Sequence, residues 1–224
     1  MGKIRGIALS CSLIASSFLA IAFSCVELVA YDSSFYTAHF EKSATSSRTG
    51  ISAEGLAHIV HETQNLLKGV RGNYNIYVDI DGESTAVFGE QENFHMVEVA
   101  GLFRRFASLR SSCAVISISI VIAIIIFLKK KSAVFFIYSI AAALCIIAAI
   151  GLFAAVNFNA FFTLFHEMLF SNDKWLFPAS SMLIQILDLE FFVKAAIRII
   201  GYISAAYALL LVASLAFFKR SKAS

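Results

Sequence analysis

The side chains of this sequence that could do chemistry gather in one unusually aromatic stretch. From Asn157 to Phe192 the chain reads NFNAFFTLFHEMLFSNDKWLFPASSMLIQILDLEFF, with His166, Glu167, Asn172, Asp173 and Trp175 in a tight group. The stretch lies between two apolar runs long enough to cross a bilayer. Ionisable side chains at membrane depth are costly, so such a group marks a working site. If 157–170 is helical, Asn159, Thr163, His166 and Glu167 share one face, while Phe161, Phe162, Phe165 and Leu169 cover the others. A polar seam on an apolar helix needs a partner elsewhere in the chain. His95 is the candidate. From Gln91 the pattern is helical, and His95, Glu98, Val99 and Leu102 share a face a few turns before a second apolar run. His95 and His166 are therefore expected to approach each other on one side of the membrane.

Other chemistries fit less well. A zincin needs a second His four residues after the first, and Phe170 stands there. His58, His61 and Glu62 form H-x-x-H-E, which matches neither the zincin order nor its inverse, and read as solvated surface. The two histidines with Glu98 or Asp173 could hold a metal, but there is no Cys/His ligand cluster. Ser180 and Ser181, after Pro178, read as a helix start rather than as nucleophiles. There is no Gly-x-Ser-x-Gly elbow and no phosphate loop.

The elements that must position these residues follow from composition. Of 224 residues, 59% are hydrophobic, 22 are Phe and one is Pro, which is far from an average soluble domain. Four runs approach the ~20 residues needed to cross ~30 Å of hydrocarbon. The resulting expectation is an all-α membrane protein with four transmembrane helices, a small α+β extracytoplasmic segment and an aromatic interfacial loop. Helices are expected to span within 1–30, 108–128, 133–156 and 194–218. Segments 31–107 and 157–193 would lie outside, with a cytoplasmic link at 129–132 and a tail at 219–224. Lys3 and Arg5, Lys129, Lys130 and Lys131, and Lys219, Arg220 and Lys222 all fall on one side of that path, which makes both termini cytoplasmic. The formal charge of +3 sits mostly in these flanks, and no basic patch interleaved with aromatics suggests nucleic acid. Cys11, Cys25, Cys113 and Cys145 all fall in expected spans and read as packing residues, not as a disulfide framework. The first apolar run is long and uninterrupted, so it reads as an anchor and not as a cleaved signal.

Within the external segment, 32–50 carries a Ser/Thr cluster and reads as loop. Ser52 caps a helix in which Leu56, Ile59, Val60, Thr63 and Leu67 recur at helical spacing, ended by Gly69 and Gly72. Tyr74 to Ile80 and Ser84 to Phe88 read as two strands joined at Asp81-Gly82. A segment this small buries little core alone, so it is expected to pack on the bilayer surface or the aromatic loop.

Asn93 to Leu102 (NFHMVEVAGL), Phe162 to Trp175 (FTLFHEMLFSNDKW) and the later MLIQILDLEFF resemble the lipoprotein intramolecular transacylase family (Lit) of Gram-positive bacteria. The FHE-x-x-F-x-N-D-x-W run is the distinctive part, and the four-span layout fits as well. The resemblance implies that the sn-2 fatty acyl chain of a diacylglyceryl-cysteine lipoprotein moves to the α-amine of that cysteine, leaving a lyso-form. It implies diacylated lipoproteins as substrate, membrane lipid as surroundings, no cofactor and no metal, and a site at the outer leaflet of the bacterial cell membrane. His95 and His166 would be the catalytic pair, with His95 as base and His166 as oxyanion donor or acid, or the reverse. Glu98, Asn159, Glu167, Asn172 and Asp173 would orient them, and Trp175 would anchor the loop. Two other classes remain open: a non-enzymatic four-span sensor or assembly factor, and a metal-dependent lipid hydrolase.

Overall fold

A computed structural model describes residues 2–80, 82–128 and 132–223. Lys129, Lys130 and Lys131 of the expected cytoplasmic link, and Asp81 of the expected hairpin turn, lie outside the described residues, as do the side chains of Lys3, Arg5, Arg220 and Lys222. Nine helices and one hairpin follow in order among the described residues: α1 Gly2–Ala30, α2 Ser33–Lys42, α3 Thr45–Thr49, α4 Ala53–Leu67, β1 Tyr77–Ile80, β2 Glu83–Ala86, α5 Glu90–Leu128, α6 Ser132–Val156, α7 Phe158–Leu169, α8 Met182–Ile186 and α9 Leu189–Ala223. Four helices are long and apolar enough to cross a membrane, over Ile7–Ala30, Glu90–Phe127, Phe135–Val156 and Leu189–Phe217. The fold is that of an all-α membrane protein with one small sheet. α5 runs 39 residues, about 58 Å at 1.5 Å per residue, so its apolar part, 111–128, takes up only about half its length.

The chain divides into two compact units. The first comprises Met1–Val26, Ala107–Asn157 and Ile197–Ser224. It is held by a thin apolar core of Cys25, Ile140, Ala143, Ile147, Ile203 and Tyr207. Hydroxyls add links between helices: Ser17 Oγ lies 3.0 Å from Tyr207 Oη, and Ser117 Oγ donates to Ser16 Oγ at 2.8 Å. Each such bond in a membrane bundle contributes about 0.6 kcal/mol. The four cysteines are free thiols, with Cys25 and Cys113 buried.

The second unit comprises Glu27–Phe106 and Phe158–Ala196. Its centre is α4. Ser52 caps this helix by accepting the Gly55 N–H at 3.1 Å, a bond worth about 1 kcal/mol. Leu56, Ile59, Val60, Leu66 and Leu67 are then buried along one face. Gly55 has no room for a side chain, since a Cβ there would meet Ile51 Cγ2 at 2.7 Å. The segment 32–50, expected as loop, is helical. Asp32 caps α2 by accepting the Ser34 N–H at 3.1 Å, and burial of Tyr36, His39 and Phe40 outweighs the weak helix propensity of the Ser and Thr residues. The following α3 is a single short turn ended by Gly50 at φ 73.

In the hairpin Tyr77 pairs with Ala86 and Ile80 with Glu83. The first strand begins at Tyr77 rather than Tyr74 because Tyr74 is spoken for elsewhere. Its hydroxyl lies 2.8 Å from Thr63 Oγ1, and its N–H goes to Asn93 Oδ1 at 3.0 Å. Gly82 turns the chain at φ +85, where its N–H reaches Asp79 Oδ1 at 2.9 Å. Leu183, Ile186 and Phe191 join Tyr36, Phe40, Ile51, Ile59, Tyr74 and Ile76 in one core. The aromatic stretch and the polar segment therefore share a hydrophobic interior, which neither is large enough to build alone.

Candidate active site

α7 forms because FNAFFTLFHEML carries no Gly or Pro and can bury one aromatic face. His166, in its last turn, is 8% exposed. Its Nδ1 lies 2.8 Å from the carbonyl oxygen of Phe162, one turn earlier. A carbonyl only accepts, so Nδ1 carries the proton and the lone pair of the neutral ring sits on Nε2. The ring also packs against the Phe162 ring at 4.2 Å between centroids.

α5 presents His95 one turn after its start. The ring is 6% exposed, and its Nδ1 is buried without a hydrogen-bond partner. The imidazoles of His95 and His166 are stacked, with centroids 6.1 Å apart and planes inclined by 27°. Phe170 touches both rings, at 4.9 and 5.7 Å. Phe177 meets His95 edge-on at 5.5 Å, and Trp175 stacks on His166 at 4.9 Å. The result is an imidazole pair boxed in by aromatic rings.

His166 lies outside the four apolar stretches and His95 precedes the apolar part of α5 at 111–128, and the surroundings of both rings favour the neutral form. Burial pushes His95 down to about 4, and the neighbouring His166 adds to this. Burial lowers His166 too, opposed by its bond to the Phe162 carbonyl. At neutral pH the pair holds lone pairs and N–H donors rather than positive charge.

The residues expected to support the pair divide. Glu98, on the helix of His95, accepts from Asn172 Nδ2 at 3.0 and 3.2 Å through its two oxygens. Asn172 Oδ1 in turn accepts the Lys174 N–H at 2.9 Å, which fixes the turn leading into Trp175. Asn159, Glu167 and Asp173, by contrast, have exposed side chains. Glu167 follows His166 directly and so points about 100° away around the helix, while Asn159 lies about 10 Å along it. The expected polar seam of α7 thus turns inward only at His166. Among the described residues no three His, Cys, Asp or Glu side chains converge as a metal's ligands would.

Sequence reasoning missed the aromatic walls Phe170 and Phe177, and also Glu92. Glu92 is buried and bonded to the Gly89 N–H at 2.7 Å, the Leu183 N–H at 2.9 Å and the Ser181 hydroxyl. The signal was present: Glu three residues after Gly89 at a helix start is a capping pattern.

Residues 11–192 match the sequence profile of the family described as lipoprotein intramolecular transacylase Lit. A comparison with curated proteins gives no match. Among solved structures, the membrane-integral lipoprotein intramolecular transacylase Lit from Bacillus cereus superposes with a TM-score of 0.81 at 21% identity, covering 100% of both chains. A variant of that enzyme with one histidine replaced by alanine gives 0.78 at 18% identity, covering 100% of this chain and 98% of the other. A variant with a histidine replaced by arginine gives 0.76 at 18%, covering 99% and 95%. At these identities the structures establish a common fold, and the profile match, which spans most of the chain, establishes kinship. The chain belongs to the lipoprotein intramolecular transacylase Lit family, and is accordingly a multi-pass membrane acyltransferase.

Proposed function

We propose that the protein moves the sn-2 fatty acyl chain of a diacylglyceryl-cysteine lipoprotein to the α-amine of that cysteine, using His166 and His95 and no metal or other cofactor. The observation that carries this reading is the boxed, neutral imidazole pair. Amine and ester belong to one substrate molecule, so the protein has mainly to fold that molecule into an attacking geometry. An ester becomes an amide, a downhill exchange.

The chain's own residues supply the proton path. An α-amine with pKa near ~8 is mostly protonated at neutral pH and must lose a proton to attack. His166 Nε2, bare while Nδ1 is bonded to Phe162, is the base. The amine nitrogen bonds to the ester carbon, and the charge that develops on the carbonyl oxygen is met by an N–H of His95. The bond from the ester carbon to the glycerol oxygen then breaks, and that oxygen takes the proton back from His166 Nε2. The ammonium gives its first proton to solvent before attack, a second passes from the attacking nitrogen through His166 to the glycerol oxygen, and the products are an amide, a free glycerol hydroxyl and the one released proton. Trp175, stacked on His166, gives the transient imidazolium a favourable aromatic face. Glu98 and Asn172 hold the turn between α7 and Trp175. Asn159, Glu167 and Asp173, exposed as they are, face solvent or substrate rather than the imidazoles.

With both termini and the lysine link in the cytoplasm, the pair stands at the outer leaflet of a bacterial cell membrane, where diacylated lipoproteins reside among membrane lipid. The test is expression in a bacterial host that makes only diacyl lipoproteins. Reactant and product are isomers, so total mass does not change. Fragmentation of the lipoprotein N-terminal peptide should place one acyl chain on the α-amine and one on glycerol. Peptides that keep both chains on glycerol, from cells with verified protein, would end the proposal.

A further inference from the structure

We propose that Gln91 and Glu92, in the first turn of α5, are positioning residues that clamp the segment 174–183 so that its rings close on the imidazole pair. The proposal rests on the acyl-transfer reading of that pair and adds to it the device that keeps the box shut.

The segment needs holding. Between the end of α7 and the start of α8 the backbone is irregular, and its backbone–backbone bonds among the described residues are local, such as Leu176 N–H to Asp173 O at 3.1 Å and Ser181 N–H to Pro178 O at 2.9 Å. Fixing each residue of such a stretch costs about 1–2 kcal/mol of conformational entropy. Yet this stretch carries Trp175 and Phe177, which face His166 and His95.

Gln91 holds its beginning. A single amide, Gln91 Nε2, donates to the carbonyl oxygens of Lys174 at 3.0 Å and Leu176 at 3.1 Å, the two residues flanking Trp175. Glu92 holds its end. Its carboxylate receives the Leu183 N–H and the Ser181 hydroxyl on Oε1 and the Gly89 N–H on Oε2. Ser181 caps α8 without a side-chain bond of its own to that helix, and the Glu92 carboxylate supplies what is missing. A buried carboxylate is tolerated only when its lone pairs are filled, and here three donors fill them. The clamp sits three and four residues before His95 on the same helix. Catalytic ring and clamp therefore form one rigid piece, and the loop is registered against it. Gln91 and Glu92 bond to the loop and to Gly89, so both act on the imidazoles through the loop.

The sole tryptophan of the chain is Trp175, so its fluorescence reports the position of this segment without labelling. The full-length protein, purified in detergent, is compared with Gln91→Ala, Glu92→Gln and, as a control in the same turn, the exposed Glu90→Gln. A synthetic diacylglyceryl-cysteinyl peptide is the substrate. Gln91→Ala and Glu92→Gln should shift Trp175 emission to the red, open it to acrylamide quenching, and lower kcat by roughly up to a hundredfold with KM little changed. Glu90→Gln should match the parent. Parental emission and kcat in both clamp variants would overturn the proposal, and so would a fall in kcat without any change in emission. If Glu92→Gln does not fold, Gln91→Ala, an exposed position, decides alone. A parent protein that makes no N-acyl product would refute the acyl-transfer reading, while the emission measurement would still decide whether the clamp exists.

Discussion

His166 and Phe162 are joined by a 2.8 Å hydrogen bond from imidazole Nδ1 to carbonyl oxygen, and that bond selects which nitrogen of His166 can accept a proton. His166→Ala and His166→Asn should both lose about 10²- to 10⁴-fold in rate, the range for removal of a general base. His95→Ala should lose about 10²- to 10³-fold, as for removal of one oxyanion donor. In the proposed mechanism the two rings act on one transition state, so the double variant should be little slower than the worse single one. Rates come from fragment-ion analysis of the lipopeptide over time. Near-parental rates in both single variants would falsify the pair.

The pH dependence follows from the same burial. Below the ~8 pKa of the substrate amine, the free amine falls tenfold per pH unit. His95 is pushed down to about 4 and His166 is also lowered. Neither ring should therefore add a second ionisation near ~6.5, the ordinary histidine value. The logarithm of kcat/KM should rise with a slope of one through the ordinary histidine value and on to the amine pKa. A slope of two below the ordinary histidine value would show that one of these rings ionises as if exposed.

Asn172 donates to both oxygens of Glu98. Hydrogen bonds to a charged group contribute about 1.5–3 kcal/mol. Asn172→Ala should lower thermal stability by an amount of that order, reduced by partial exposure. Asn172→Asp should cost more, since it sets a carboxylate against a carboxylate. Glu98→Gln in the Asp background should recover part of the loss, and a melting series in one detergent reads all three.

His39 gives a separate handle on stability. Its Nε2 lies 3.2 Å from Asp188 Oδ1, with Lys194 Nζ 3.5 Å from Nδ1 and Arg48 on the far oxygen of Asp188. Burial lowers its pKa despite Asp188, with Lys194 lowering it and Glu190 raising it by smaller amounts. A folded-state pKa below the unfolded ~6.5 means the unfolded chain takes up the proton first. Stability is then full above that value and declines as pH falls through it. His39→Gln should melt with a shallower decline between pH 7 and 5 than the parent. Parallel melting curves would show that this imidazole ionises equally well in both states.

Much of this was legible in the sequence because it rests on local pattern. The four spanning helices follow from the length of the apolar runs, the Ser52 cap of α4 from a capping residue ahead of a 3.6-residue repeat, and the inward face of β1 from alternation. The approach of His95 and His166 was legible too, since each sits on a helix face next to an apolar run. Other features needed coordinates. The helix α2 was hidden because the Ser/Thr cluster from Ser43 to Thr49 suggests loop for the stretch that holds it, while the burial of Tyr36 and Phe40 depends on tertiary contacts. Asn159 and Glu167 looked equivalent to His166 on a helical wheel, but a wheel ignores distance along the axis and does not say where the core ends. The roles of Gln91 and Glu92 were invisible because their partners lie 83 to 91 residues away and are mostly backbone atoms.

Ser16 and Ser17 are neighbours on α1, yet one receives Ser117 of α5 and the other meets Tyr207 of α9. Adjacent positions on a helix differ by about 100°, so a single twist or slide of α1 would unhook both contacts together. The first helix thus works like a key with two teeth: its sequence of small and hydroxylated residues fixes one rotational setting, where an all-leucine helix of equal length would have offered several.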